Sequence, residues 1–349
     1  AYVKGCRDFD VESAYAAMLR DATQIGNAEG SFGRTGIEAY DDLGFVPADE
    51  FEHAASRTMD HAYTDFCVAQ VASGLAREQD ARRFYDRAMN YQNTFDTHTG
   101  FARGRNRDTS FVEPFDEFAW GGAYIEGSAW QCTWAVPHDP RGLAELLGGR
   151  DKAIAKLDRM FLLPPVFDVG TYHREIHEMT EMAAIDFGQY AHSNQPVHHV
   201  LYLYAALGKP SRTQYWVRRV LHELYTPGPG DGFAGDEDNG EMTAWYVFGA
   251  LGLYPLCPGH PSYTLGAPLF EKAVIRPPGG EAFVIEGVGN RLATPYAERI
   301  QLNGSAISRL FVTQQEITGP GRLVFDMTDK PFERTYDSAD LPFSLSAPG

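Results

Sequence analysis

The chain is short of lysine and cysteine and has no long apolar run. Lys4, Lys152, Lys156, Lys209, Lys272 and Lys330 are its only lysines, and 47 acidic residues against 30 basic ones give a formal net charge of −17. Phosphate backbones are bound by basic faces, so a nucleic-acid partner is excluded; the scarcity of lysine itself reads as genome composition. The four cysteines, Cys6, Cys67, Cys132 and Cys257, are far apart and form no C-x-x-C pair. That argues against zinc or iron–sulfur ligation and for buried thiols rather than disulfides, and it leaves the compartment open. No apolar stretch approaches the ~18–20 residues of a membrane span. Glycine-rich phosphate loops and nucleophile elbows are absent as well.

What remains is the composition of a globular protein: 349 residues, 44% hydrophobic, with 35 Gly and 21 Pro. That length fits one large domain or two. Aromatic residues make up 13%, including 18 Tyr and 22 Phe, a content that suits a sugar or other ring ligand but equally suits a core. The start is unusual: Ala1-Tyr2-Val3-Lys4-Gly5 runs straight into Arg7-Asp8-Phe9-Asp10, which caps a helical run from Val11 to about Leu19. It reads as a chain that begins inside a structure already under way.

Residues 9–255 read as helix after helix, about nine or ten in all. Thr58 to Leu75 and Gln79 to Thr94 are amphipathic. Ile154, Leu157 and Phe161 recur at helical spacing, as do Trp216, Val217, Val220, Leu221 and Leu224. Pro196 opens a run to Leu207 that Gly208 closes. Met242 to Leu253 is apolar nearly all round, which predicts a buried helix. After Pro258 the texture turns to short β-type runs, Val274-Ile275, Phe283-Val284-Ile285, Ile300-Gln301-Leu302 and Leu323-Val324-Phe325. Breaks at 277–280, 303–304 and 319–321 divide them, and Asn303-Gly304 is a hairpin signal.

Three polar loops precede helices. In the first, Tyr124-Ile125-Glu126-Gly127-Ser128-Ala129-Trp130-Gln131, Ser128 and Gln131 have capping-box spacing, so Glu126 stands just outside a first turn beside Trp120 and Trp130. It reads either as an acid catalyst or as a structural helix-entry glutamate. A helix dipole would lower its pKa and desolvation would raise it. In the second, Gly235-Asp236-Glu237-Asp238-Asn239-Gly240-Glu241-Met242, neighbouring carboxylates repel one another unless a cation, substrate or water uses them. Asp238 and Glu241 again have capping-box-like spacing, which favours an ionised Asp238 suited to a general base; a solvated acidic loop is the alternative. The third, His192-Ser193-Asn194-Gln195-Pro196-Val197-His198-His199, carries amide oxygens that could hold a hard cation such as calcium, or could simply cap. His173 and His177 lie four apart, but without the glutamate placement of a zinc-protease motif. In an (α/α) toroid the inner helices start at one end, so such loops would converge on one pocket.

At these residues the chain resembles glycoside hydrolase family 92, the calcium-dependent exo-acting α-mannosidases. The resemblance runs through Lys4-Gly5 with Phe9-Asp10, Ser56-Arg57-Thr58-Met59, Gly104-Arg105-Asn106 and residues 125–131. It continues through Val136-Pro137-His138-Asp139, residues 194–199, Tyr225-Thr226-Pro227-Gly228-Pro229, residues 235–240 and Ala244-Trp245-Tyr246. It implies a mainly α fold, with most of an (α/α)6 catalytic toroid over 1–257 and a β-sandwich segment over 258–349. It also implies hydrolysis of terminal α-mannosides of glycans with inversion, the two carboxyls standing ~6.5–9.5 Å apart. Glu126 matches the general acid, Asp238 the general base and Asp236 its close partner. Trp120, Trp130, His198 and Glu237 would contact the sugar, and Asn194 and Gln195 would lie beside calcium, which grips sugar hydroxyls. One departure is Ser193-Asn194-Gln195-Pro196, where the family commonly has Gly-Asn-Glu-Pro; losing that carboxylate bears on cation binding or aglycone preference. The alternatives are a mannosyl-phosphate-linkage glycosidase, against which the retained Glu126 argues, and a glycan-binding subunit that needs a partner chain. The resemblance further implies a secreted, periplasmic or bacterial cell-surface protein. It makes these residues the carboxy-terminal part of a longer polypeptide whose amino-terminal β-sandwich is the expected partner.

Overall fold

A computed structural model describes residues 1–27, 32–228, 231–277 and 280–346. Pro229 of one motif, and Pro278 and Gly279 of one predicted strand break, lie outside the described residues. The described chain is mainly helical with several sheets, in two compact units, Ala1–Ala191 and His192–Gly349. The compositional change near residue 258 therefore falls inside the second unit. Among the described residues no helix is long and apolar enough to cross a membrane.

The first unit holds α1 (Val11–Thr23), α2 (Ile37–Leu43), α3 (Ala54–Gly74), α4 (Glu78–Ala88), the short strands β1 (Phe95–Asp96) and β2 (Phe101–Ala102), α5 (Ala129–Cys132), α6 (Pro140–Leu146), α7 (Arg150–Leu162) and α8 (His177–Ile185). Local chemistry sets the ends. Asp10 accepts the Ser13 N–H at the start of α1, and Asp139 accepts that of Gly142 where Pro140 opens α6. The α3–α4 hairpin is the backbone of the unit. Small residues on α3, Ala69 and Ala72, let Phe84 of α4 and Tyr15 of α1 approach closely, and together they form one buried cluster with Tyr2 and Val68.

Inside this hairpin α3 buries a charge. The Asp65 side chain is fully buried and accepts from Arg34 Nη1 at 2.6 Å, Arg87 Nε at 2.8 Å and the Tyr40 hydroxyl at 3.1 Å. One carboxylate thus joins α2, α3, α4 and the segment ahead of α2.

The second unit holds α9 (Val200–Ala206), α10 (Pro210–Glu223), the hairpin β3 (Tyr225–Gly228) and β4 (Asp231–Phe233), and α11 (Glu241–Leu251). Then follow β5 (Leu253–Tyr254), β6 (Ser262–Leu265), β7 (Lys272–Ile275), β8 (Phe283–Val288), β9 (Tyr296–Leu302), β10 (Ser305–Ile307), β11 (Phe311–Thr313), α12 (Gln314–Thr318) and β12 (Gly321–Thr328). A five-stranded sheet runs β10-β9-β12-β8-β7, antiparallel except for β12 on β8, and a three-stranded sheet runs β11-β6-β5. Alternate residues Phe283 and Ile285, and Leu323 and Phe325, enter one core with Tyr263 and Leu265. Asn303 and Gly304, with φ of 51° and 84°, make the tight turn between β9 and β10 that their sequence predicts.

Two expectations change. Up to residue 255 the described chain has eleven α-helices rather than nine or ten, because short ones such as α2 and α5 lack a long apolar period. The apolar α11 is not buried all round: Met242, Trp245, Gly249 and Ala250 are inside, while Ala244 and Val247 are exposed. Within the unit it packs against α10 and β5, with Phe248 and Leu251 against the sheet core.

Two predictions follow from buried charge. Replacing Asp65 with Ala leaves the buried Arg34 without its counter-charge and Arg87 to Asp41, 2.9 Å from its Nη1, which costs about 3–5 kcal/mol; urea unfolding measures it, and a loss under about 1 kcal/mol would contradict the network's role. On α7, the Lys156 amine sits 3.1 Å from the Phe101 ring centroid and 4.7 Å from that of Trp130, and burial pushes its pKa down to about 7. Between about 7 and the unfolded value of about 10.4 the folded chain holds fewer protons than the unfolded one. This site's contribution therefore falls as pH drops through that window and is flat below it. Lys156→Met should raise the melting temperature more at pH 6.5 than at pH 10; an equal shift at both would show that burial does not lower the amine's pKa.

Candidate functional site

In the first unit the predicted capping box is present. The Ser128 N–H donates to Gln131 Oε1 at 2.8 Å, the Trp130 N–H donates to Ser128 Oγ at 3.2 Å, and α5 begins at Ala129. Gln131 is pinned in turn by donating to the Gln189 carbonyl at 2.7 Å. Just ahead of this box Glu126 is exposed and has a φ of 46°, the left-handed region that a side chain seldom occupies.

That backbone is held from two sides. The first turn of α3 has no side-chain cap; instead the His53 N–H donates to the Gly122 carbonyl at 2.7 Å, and those of Ala55 and Ser56 donate to the Ala123 carbonyl at 3.1 and 3.2 Å. Ser56 Oγ then accepts the Ile125 N–H at 3.1 Å. From the other side, Thr171 Oγ1 accepts the Gly122 N–H at 2.7 Å and the Tyr172 hydroxyl accepts the Glu126 N–H at 3.1 Å. Burial raises the pKa of that phenol, so it stays protonated. Cys132, buried behind the turn, has its thiol pushed up to about 12 by burial. It is a packing group and not a nucleophile.

Trp120 and Trp130, placed on the sugar by resemblance, are 1% and 0% exposed. Trp120 packs with Met179 and Met182, and Trp130 meets Phe101 edge-on. Both are core residues here, since the turn that exposes Glu126 directs its aromatic neighbours inward.

In the second unit two loops are locked together. Gly235 has a φ of 77°, and a Cβ there would lie 2.2 Å from the Ser193 carbonyl oxygen, so the acidic loop can rest on the 192–198 loop only with glycine at that point. The Gln195 amide donates to Asp238 Oδ2. His198 Nδ1 lies 3.1 Å from Glu241 Oε1, its Nε2 lies 3.1 Å from the His192 carbonyl oxygen, and the Trp245 indole donates to the His198 carbonyl at 3.0 Å. Buried, with both ring nitrogens used, His198 braces the two loops. His192 behind it is held neutral by burial, 3.0 Å from the Tyr225 hydroxyl, which donates to the Met242 carbonyl.

The cap of α11 differs from the one its spacing suggests. Glu237 accepts from the Gly240 N–H and from the Thr243 hydroxyl at 2.6 Å, and these bonds hold its pKa below the usual carboxylate range. Asp238 is free of that duty because its own φ of 50°, followed by 59° at Asn239 and 97° at Gly240, turns it away from the helix. Glu237, expected on the sugar, is thus occupied as a cap, while Asp236 and Asp238 are exposed. Beside Thr243 a cavity of about 460 Å³ is walled by the rings of Tyr225, Phe233 and Tyr246.

Asn194 is buried and accepts the Gln195 N–H at 3.1 Å; Gln195 is half-buried. Among the described residues no three His, Cys, Asp or Glu side chains group as metal ligands. A cation here would rest on oxygen donors, the Asn194 and Gln195 amides and the neighbouring carboxylates, and that donor chemistry suits a hard cation. Sequence reasoning missed Tyr172 and the Gln195–Asp238 pairing, because each joins residues more than forty positions apart.

The comparisons agree with one another. The profile of the glycosyl hydrolase family 92 catalytic domain matches residues 1–329. A family 92 inverting mannosidase of Bacteroides thetaiotaomicron is 43% identical with a TM-score of 0.89, over 99% of this chain and 47% of that one. An α-mannosidase of the same organism is 31% identical with a TM-score of 0.86, over 99% and 43%. An uncharacterized secreted glycosidase of Arthroderma benhamiae is 26% identical over 388 residues, covering 99% of this chain and 46% of the relative. The chain spans about half the length of these relatives, and it belongs to glycosyl hydrolase family 92.

Proposed function

We propose that the chain carries the catalytic carboxylates of an inverting, calcium-dependent exo-α-mannosidase that removes terminal mannose from glycans. The observation that carries the reading is that Glu126 and Asp238 are both exposed carboxylates on left-handed backbone, each held there by surrounding bonds. Strain at an exposed, held carboxylate is of the kind that clusters at functional sites, and the solved relatives are mannosidases, one of them inverting.

In this reading the Glu126 carboxylic acid gives its proton to the glycosidic oxygen as the C1–O bond breaks. Asp238 takes a proton from the water that attacks C1 on the opposite face, so the product sugar has inverted configuration. The Gln195 amide fixes one oxygen of Asp238 and leaves the other for that water, with Asp236 beside it as a second negative charge. Calcium, held through the Asn194 and Gln195 oxygens, would supply positive charge for the sugar's hydroxyls. The helices form part of an (α/α)6 toroid and the later strands part of a β-sandwich. The relative called a secreted glycosidase supports secretion.

Glu126→Gln and Asp238→Asn should each lower kcat on an α-mannoside by about 10²–10⁴-fold, with folding unchanged by circular dichroism. Full activity in either variant removes that residue from its role. Chelation of calcium should abolish turnover and re-addition restore it; indifference to the chelator would overturn the metal assignment.

A further inference from the structure

The first two turns of α3 carry more polar chemistry than a helix wall beside a core needs. His53, Arg57 and Asp60 follow one another at spacings of four and three, which places them along one face. Ser56, one helical turn before Asp60, is the residue whose hydroxyl holds the Ile125 N–H, next to Glu126. His53 feels the Glu126 charge, and the Cys132 thiol feels both Asp60 and Glu126. Asp60 and Glu126 therefore flank the same buried thiol, on the side of the unit that bears the candidate acid.

The charge of Arg57, one turn before Asp60, acts on the Asp60 carboxyl from a distance. That carboxylate makes no hydrogen bond or ion pair among the described residues, whereas Asp65, five residues on, is saturated by three donors. The Asp60 side chain is exposed, yet burial of its surroundings is the main cause that pushes its carboxyl up to about 6. The carboxylate is open to water, and it stands one turn along α3 from Ser56, whose hydroxyl holds the Ile125 N–H beside Glu126. The terminal N–H groups of α3 are already spent on the Gly122 and Ala123 carbonyls, so the helix end itself offers nothing to a ligand.

We propose that Asp60 is a substrate-contacting residue whose carboxylate accepts hydrogen bonds from hydroxyls of the sugar being cleaved, with Arg57 and His53 completing that face. This rests on the reading of Glu126 as the acid. A carboxylate with two acceptor oxygens suits a neighbouring pair of hydroxyls, since an acceptor-only group selects ligands rich in O–H donors. The stripe thus sets which hydroxyls the site demands, a specificity role separate from proton transfer.

The test uses the active enzyme with Asp60→Ala, Asp60→Asn and Glu126→Gln, a methyl α-mannoside, and its four monodeoxy analogues. Asp60→Ala should raise KM about 10–100-fold, the range expected for a lost charged hydrogen bond. Asp60→Asn should raise it less, and melting temperatures should stay within a degree or two of the parent. With one deoxy analogue the parent enzyme should already show the loss, and Asp60→Ala should add nothing further. Calorimetry of methyl α-mannoside binding to Glu126→Gln, with and without Asp60→Ala, should show the same loss of affinity without turnover. Unchanged KM and affinity in both Asp60 variants would overturn the proposal, as would a loss shared equally by all the analogues or explained by lowered melting. Full activity of Glu126→Gln would instead defeat the acid assignment, whatever Asp60 does.

Discussion

The uncapped start of α3 is the constraint on which the candidate acid depends. A helix leaves its first N–H groups without internal partners, and burying them unsatisfied costs about 1–3 kcal/mol each. No side chain supplies the cap here; the carbonyls of Gly122 and Ala123 do. Satisfying α3 therefore fixes the loop that ends in Glu126, and the Tyr172 hydroxyl closes the last bond at the Glu126 N–H. The carboxylate is exposed because its backbone is needed elsewhere. A loop free to relax would give up the φ of 46°; one that caps a 21-residue helix cannot.

The second unit reaches the same end by different means. There the fixed point is the contact of Gly235 with the Ser193 carbonyl, which brings the acidic loop down onto the 192–198 loop. From that contact the side chains pair in order, Gln195 with Asp238 and His198 with Glu241. Trp245 ties the pair of loops to the body of α11 through the His198 carbonyl. An uncharged amide against Asp238 provides a donor without adding charge, so the carboxylate is oriented by a hydrogen bond and not by an ion pair.

Much of this was legible in the sequence, and the exceptions have identifiable causes. The Ser128–Gln131 box, the Asn303-Gly304 turn, the Asp10 cap and the alternation through Phe283 and Ile285 rest on neighbours within a few residues, where spacing is geometry. Glu126 and Asp238 were visible as carboxylates at helix starts, where a structural role and a chemical one read alike. Hidden from spacing was which of two adjacent acids would cap α11: Glu237 and Asp238 compete for one task, and three successive left-handed residues decide it. Trp120 and Trp130 misled for a related reason. Nearness in sequence to an exposed carboxylate says nothing about side-chain direction in a tight turn, and both rings point into the core. Asp60 could not be told from any other helix-surface acid, since what sets it apart is the nearness of its helix turn to the Glu126 loop, which joins residues about seventy positions apart.

Four carboxylates between residues 236 and 241 look at first like one reservoir of negative charge. Their partners divide it. Glu237 is engaged by the hydroxyl and N–H groups at the start of α11, and Glu241 by the hydrogen bond to His198, which holds its pKa below the usual range. What remains directed outward is Asp236 and Asp238, with the Gln195 amide on one oxygen of the latter. The repulsion that makes a run of acids costly is thus relieved by assigning alternate members to the scaffold. The same assignment singles out Asp238, since of the two outward acids it is the one that a described side-chain hydrogen bond orients, and the base proposed above needs a fixed orientation toward its water more than it needs proximity to further charge.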